Sequence, residues 1–281
     1  MAHVIKVVTD STCDLPREWV EQWDITVIPT LLQIDGQSLL DDGVQISREE
    51  YYRRLPAMKQ LPTTSACPLG LSRDLIARAK AGADHLILLT PPASLSAIYN
   101  NFRLAADEMA PGAYTLIDSG QTSMGLGWIA LGAAQAARTG ASLETIRQRI
   151  DSLKQRTHVY AALSTLENLR RSGRVNWLIA MAGTLLQIKP LIRLYQGDVS
   201  LVERIRTFRR ATERLIQLGK AHAPLERLAV LHTNNLEDAH AVLNALSAVF
   251  PPEQVVIRNV NPVLGTHVGA KGVGIALVTQ V

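Results

Sequence analysis

Apolar and polar positions alternate in blocks along the first half of the chain. Short apolar runs of strand length, Val4–Val8, Ile25–Pro29, His85–Leu89 and Tyr114–Ile117, are separated by longer stretches with helical spacing. Those helical stretches run to about Trp23, over Leu71–Lys80, Ser96–Met109 and Leu126–Arg138. Strand and helix in regular succession predict a mainly parallel sheet with right-handed crossovers. Ile34-Asp35-Gly36-Gln37 carries the Asp-Gly signal of a tight hairpin. Ser47-Arg48-Glu49-Glu50 has the spacing of a capping box that opens a helix through Tyr51 and Tyr52. Asp14 suits a helix N-cap, with Pro16 in the first turn.

The second half follows another pattern. A strand over Val159–Leu163 is followed by a short helix, Leu166–Arg171, that stops at Gly173, and Gly197-Asp198 sits between two strand-like runs. Long helices are predicted over about 208–221 and 236–249, with final strands at Val255–Ile257 and Ile275–Val278. Hairpins mixed with helices predict an α+β unit. The expected fold is α/β: a mainly parallel, Rossmann-like N-terminal domain over residues 1–155 and a C-terminal domain with a mixed or antiparallel sheet over 156–281.

Composition narrows the class. Of 281 residues, 47% are apolar and 19% charged, the balance of a globular rather than a disordered chain. A net charge of +4 and only 5% aromatic residues speak against a nucleic-acid interface. No apolar run reaches the roughly 18 residues a membrane span needs, and the N-terminus lacks a signal-peptide core. Cys13 and Cys67 do not make a disulfide framework. A reducing cytoplasm and two free thiols are expected.

The candidate chemistry lies where strands end. Thr9-Asp10-Ser11-Thr12, Thr90-Pro91-Pro92-Ala93-Ser94-Leu95-Ser96 and Asp118-Ser119-Gly120-Gln121-Thr122-Ser123 each follow an apolar strand. Pro62-Thr63-Thr64-Ser65 is a fourth polar piece. In a parallel sheet the strand ends share one edge, where ligands bind. Hydroxyls and helix amides there either hold an anion or cap helices, and the sequence leaves both readings open. Asp10 and Asp118 read as loop-tying carboxylates rather than an acid–base pair or metal ligands. Gly265–Gly274 is a glycine-rich loop bearing His267 and Lys271. Ser96, His267 and Asp118 could compose a hydrolase or acyl-transferase triad, although no GxSxG elbow marks the serine. GxGxxG, GxxxxGK and HExxH are absent, and nothing calls for a cofactor or a metal. Arginines cluster at 170, 171 and 174 and again at 204–214, either as solvated faces or as a surface for an acidic partner.

Taken in order, these motifs resemble the DegV family of bacterial fatty-acid-binding proteins. The residues that carry the resemblance are Thr9–Leu15, Thr63–Ser65, Leu95-Ser96 with Tyr99, Ile117–Ser119 with Gly125–Gly127, Thr165–Leu169 with Gly173–Val175, Leu185–Pro190 and Gly265–Gly269. The resemblance implies two α/β domains that hold one long-chain fatty acid and present it to a separate ATP-dependent fatty acid kinase, with no chemistry done by the carrier. The family's carboxylate-binding threonine and serine fall on Thr64 and Ser96, its nearby histidine on His267, and its kinase-linked arginines on Arg174 and Arg206. The chain departs from the family pattern at Pro92-Ala93, Ala66-Cys67 and Ala97-Ile98. The added Cβ of Ala97 and the missing hydroxyl at Ile98 alter the surroundings of the head group.

Overall fold

The first apolar run forms β1 (Ile5–Asp10), followed by a single 3-10 turn (Ser11–Cys13) and α1 (Arg17–Gln22). The computed structural model describes residues 3–58, 60–175 and 188–281. Next come β2 (Thr26–Ile28), β3 (Leu31–Ile34), β4 (Gln37–Leu40), α2 (Arg48–Arg54), β5 (Thr63–Ser65) and α3 (Leu69–Ala81). They are followed by β6 (His85–Thr90), α4 (Ile98–Met109), β7 (Tyr114–Asp118), α5 (Met124–Arg138) and α6 (Leu143–Arg156). The second half holds β8 (Thr157–Ala162), α7 (Glu167–Ser172), β9 (Lys189–Tyr195), β10 (Asp198–Ile205), α8 (Phe208–Ala221) and β11 (Leu225–His232). It ends with α9 (Leu236–Leu246), β12 (Val256–Asn259), α10 (Pro262–Val268) and β13 (Val273–Thr279).

The fold is the expected mixed α/β arrangement. Among the described residues, one sheet has the order β2-β1-β6-β7 and every pair in it is parallel. The carboxyl ends of β1, β6 and β7 therefore share one edge, and their hydroxyl-rich loops lie side by side. A second sheet has the order β10-β9-β8-β13-β11-β12, antiparallel except for β11–β12. The small sheet β4-β3-β5 carries the Asp35-Gly36 hairpin, whose positive φ angles (51° and 79°) mark a primed turn. Gln196-Gly197 turns β9 into β10 in the same way.

The layers explain where the core sits. Alternate residues of β1 and β6 face opposite ways: Val8, Leu86 and Leu88 pack with Ile76 of α3 and Phe102 of α4. Val7, Ile87 and Leu89 pack with Met124 and Ile129 of α5. The far side of α5 meets Val159, Ala276 and Val278 of the second sheet. This helix is buried all round, which accounts for its nearly unbroken apolar sequence. Its glycines set the approach distance: a Cβ on Gly127 would stand 2.6 Å from the Cys13 carbonyl oxygen, and one on Gly125 would stand 2.7 Å from Val159. α6 covers the end of this layer through Ile146, Ile150 and Leu153, at helical spacing. α8 and α9 close the outer face of the second sheet through Ala211, Leu215, Val242 and Leu246.

Several local readings change. Asp14 is no N-cap: it lies at φ 55°, and Asp10 instead caps the 3-10 turn by accepting from the Thr12 amide at 2.8 Å. Pro16, rather than a first-turn residue, occupies the N-cap of α1. Gly265–Val268 is not loop but the last turns of α10, started by Asn261, whose side chain accepts from Leu264 N at 2.9 Å. β11 has no counterpart in the pattern reading, because Glu226 and Arg227 interrupt its apolar run. The Ser47 cap is confirmed, accepting from Glu50 N at 3.1 Å. Leu185–Gln187, the first half of the resemblance motif Leu185–Pro190, lies outside the described residues.

Candidate functional site

A cavity of about 650 Å³ opens between the carboxyl edge of the parallel sheet and the second sheet. Such a volume is in the range of small-molecule sites. One wall is polar, with Thr30, Thr64, Ser65, Ser94 and Ser96. Much of the remaining lining is apolar and includes Val159, Ile192, Leu194, Val199 and Leu264.

Thr64 and His267 meet at the polar end. Thr64 stands on β5 opposite Leu32 of β3, and its Oγ1 lies 3.1 Å from His267 Nε2. The histidine is brought there by packing around α10. Gly265 lets that helix sit directly on Tyr52, since a Cβ there would fall 2.2 Å from the Tyr52 hydroxyl. Tyr52 donates to the Val260 carbonyl at 3.0 Å, the Tyr51 hydroxyl bonds Thr266 Oγ1 at 2.7 Å, and Asn168 Nδ2 donates to the Thr266 carbonyl at 3.0 Å. Burial, and then the charge of Arg174, push the His267 pKa down to about 4. At neutral pH it is therefore a neutral imidazole, and its buried Nδ1 has no partner among the described residues.

Ser96 lines the same cavity, just before α4. Its Oγ accepts from Ile98 N at 3.3 Å, which leaves the hydroxyl proton to donate. Ala97 and Ile98 also line the wall there. Asp118 is committed elsewhere: Oδ2 accepts from Ala93 N at 2.9 Å and Oδ1 from Gly120 N at 2.8 Å, tying two loops together. With His267 bonded to Thr64 and Asp118 to backbone amides, these bonds do not form a Ser96–His267–Asp118 relay.

The first strand end braces this wall. Ser11 Oγ lies 2.7 Å from Thr30 Oγ1 and donates to Asp41 Oδ2 at 3.1 Å. Asp14 has a fully buried side chain and pairs with Arg48 at 2.9 Å. It also accepts from Ser123 Oγ at 2.6 Å and from Asn261 N at 2.9 Å. Burial lifts Asp10 to about 6 and Asp41 to about 7. Cys13 is pushed up to about 12 by burial, so its thiol stays protonated and serves packing. Cys67 is also a buried free thiol.

The two arginines separate. Arg174 reaches the cavity wall and donates to the Ser172 carbonyl at 2.6 Å. Arg206 is exposed, in a surface groove with Arg210, Arg214 and Glu213. Sequence reasoning placed Arg174 only by resemblance and missed Asn261, Tyr51 and Tyr52 as the residues that seat His267. Asn261-Pro262 was a readable signal, an N-cap residue followed by proline at the first helical position.

Among the described residues, no group of three or more His, Cys, Asp or Glu could hold a metal, and no helix is long and apolar enough to cross a membrane.

A family profile described as "Uncharacterised protein, DegV family" matches residues 4–280. The chain belongs to the DegV family. It is 35% identical to the DegV domain-containing protein Rv2417c of Mycobacterium tuberculosis over 280 residues, covering 97% of this chain and 96% of that protein. It is 33% identical to the DegV domain-containing protein lmo2514 of Listeria monocytogenes, covering 98% of each. Among solved structures it resembles a fatty-acid-binding DegV family protein from Thermus thermophilus, with a TM-score of 0.89 and 28% identity over 98% of this chain and 99% of that one. The fatty-acid-binding DegV of Bacillus subtilis matches with a TM-score of 0.86 and 28% identity over 99% of this chain and 100% of that one. Both of these solved relatives are thus described as fatty-acid-binding proteins.

Proposed function

We propose that this protein is a carrier that holds a long-chain fatty acid in its cavity and presents it to a separate ATP-dependent fatty acid kinase. In this reading the carboxylate rests on the Thr64 and Ser96 hydroxyls beside His267, and the tail follows the apolar wall. The observation that carries it is the Thr64–His267 contact at 3.1 Å on the polar side of a cavity that is otherwise mainly apolar. The fatty-acid-binding relatives in Thermus thermophilus and Bacillus subtilis support the same ligand class.

The energetics fit a carrier. Each buried methylene contributes roughly 0.8 kcal/mol, so about ten of them supply roughly 8 kcal/mol before ordering costs. Hydrogen bonds from hydroxyls to a carboxylate are charge-assisted, and they hold it without a buried counter-ion. A neutral His267 adds a hydrogen-bonding group and no charge. Tail burial would then set affinity, and the hydroxyls would select an acid over an alcohol or ester.

The kinase would meet the surface around the cavity mouth. Arg174, at the wall, and Arg206, exposed in its groove, are the arginines assigned to that contact. The division at residues 155/156 would place the head-group hydroxyls in the N-terminal domain and His267 with both arginines in the C-terminal one.

Organic extraction of the purified protein followed by mass spectrometry tests the reading. About one equivalent of a long-chain fatty acid per chain is expected. A different class of molecule, or no lipid after exposure to a fatty acid mixture, would overturn it.

A further inference from the structure

The cavity has further polar lining that Thr64, Ser96 and His267 do not account for. Thr12, in the turn after β1, lines it together with Thr122 and Ser123 at the start of α5. Thr12 is only 3% exposed, and its Oγ1, which faces the Asp10 carboxyl, makes no hydrogen bond of normal geometry among the described residues. A buried hydroxyl without a partner is costly, and native structures satisfy such groups from protein, water or ligand.

The neighbouring helix terminus supplies further donors. Gly125 and Leu126 donate back to the Thr122 carbonyl and Gly127 to that of Ser123. The amides of Ser123 and Met124 have no partner among the described residues, as the first turn of a helix requires. The Ser123 hydroxyl is turned away and donates to Asp14 at 2.6 Å. That bond also fixes the terminus against the turn that carries Thr12, as does the close approach of Gly127 to the Cys13 carbonyl.

The groups behind this lining select the kind of atom it accepts. Asp10 and Asp14 are both about 1% exposed, and Arg48 pairs with Asp14 at 2.9 Å. A second anion here would face three buried acids, Asp10, Asp14 and Asp41, against two arginines, Arg48 and Arg258. A neutral oxygen would accept from the Thr12 hydroxyl and the helix amides without that repulsion. We infer that Thr12, Thr122, Ser123 and the first turn of α5 form a second polar subsite, which takes a neutral oxygen, a ketone or hydroxyl, carried on the acyl chain of the bound lipid. The inference rests on the reading of the cavity as a fatty acid site. It extends the ligand class to oxygenated long-chain acids, with the carboxylate still held at Thr64 and Ser96.

Competition binding with palmitate and a series of oxo-palmitates, the ketone moved stepwise along the chain, tests it in the wild type and in Thr12→Val. Valine keeps the shape of threonine and the Thr12 amide that bonds Asp10, but Asp10 loses the neighbouring hydroxyl, so affinities are compared at a temperature where melting curves show both proteins folded. At least one oxo-palmitate is expected to bind the wild type as tightly as palmitate or better. Thr12→Val should weaken that ligand about fivefold, the effect of one hydrogen bond, and leave palmitate within about twofold. Equal weakening of palmitate, or no change for any oxo-palmitate, would overturn the subsite while leaving the carrier reading intact. Failure of the wild type to bind palmitate would overturn the carrier reading and the subsite together.

Discussion

Thr64 and His267 are 203 positions apart in the chain and 3.1 Å apart in space, and neither has a local motif that announces the other. The individual residues and their nearness were legible only through resemblance; the bond between Thr64 and His267 was not. Asp14 shows the limit more sharply. A proline two positions on made it look like a cap, but its partners are Ser123, Asn261 and Arg48, which tertiary packing alone brings in. Titration gives a test at this scale. His158 is stacked on Tyr195 at 4.7 Å and lies 4.4 Å from His222, and burial, with the charge of His222, pushes its pKa down to about 4. Its folded pKa is below its unfolded value of 6.5, so the unfolded chain binds more protons between these two values. The stability contribution is therefore complete above pH 6.5 and is lost as pH falls toward 4. His158→Phe keeps the stack and removes the titration. It should raise stability by about 1–2 kcal/mol at pH 5 and leave it nearly unchanged at pH 8, as read by chemical denaturation. Asp10 and Asp41 titrate in the opposite sense, since their raised pKa values favour the folded state at low pH, so the comparison is of variant against wild type rather than of absolute slopes.

At the scale of elements, the strands with unbroken apolar runs were readable because both of their faces are buried. β11 was not, because Glu226 and Arg227 lie within it; Glu226 is occupied by Arg149 and Arg156 and pairs with neither core face. α10 was hidden by Gly265 and the glycines that follow the helix, which together look like a loop, whereas Gly265 in fact permits contact. A helical Gly→Ala change normally stabilises by up to about 1 kcal/mol. Gly265→Ala should do the reverse, because its Cβ would fall on the buried Tyr52 ring. Denaturant unfolding should show a loss of about 1–3 kcal/mol, the usual cost of overpacking. Palmitate affinity should fall as well, since α10 carries His267. A neutral or stabilising effect would show that α10 is not seated by this contact.

For the whole molecule, α5 is the structural link. It is buried between the parallel sheet and the second sheet, so the two lobes share one core and the cavity lies where their facing walls meet. The alternation of strand and helix announced the parallel sheet, and the hairpins of the second half announced its mixed partner. The cavity itself was not legible, because it exists only when β8, β9 and α10 face the loops of the first sheet. The claim that the polar end of this cavity grips a carboxylate is tested most directly by calorimetric titration of delipidated protein with palmitate, beside the Thr64→Val/Ser96→Ala double variant. The account predicts binding of about one equivalent by the wild type, weakened at least about a hundredfold when both hydroxyls are gone, given about 1.5–3 kcal/mol for each hydrogen bond to a charged group. Equal affinity in the two proteins would contradict it.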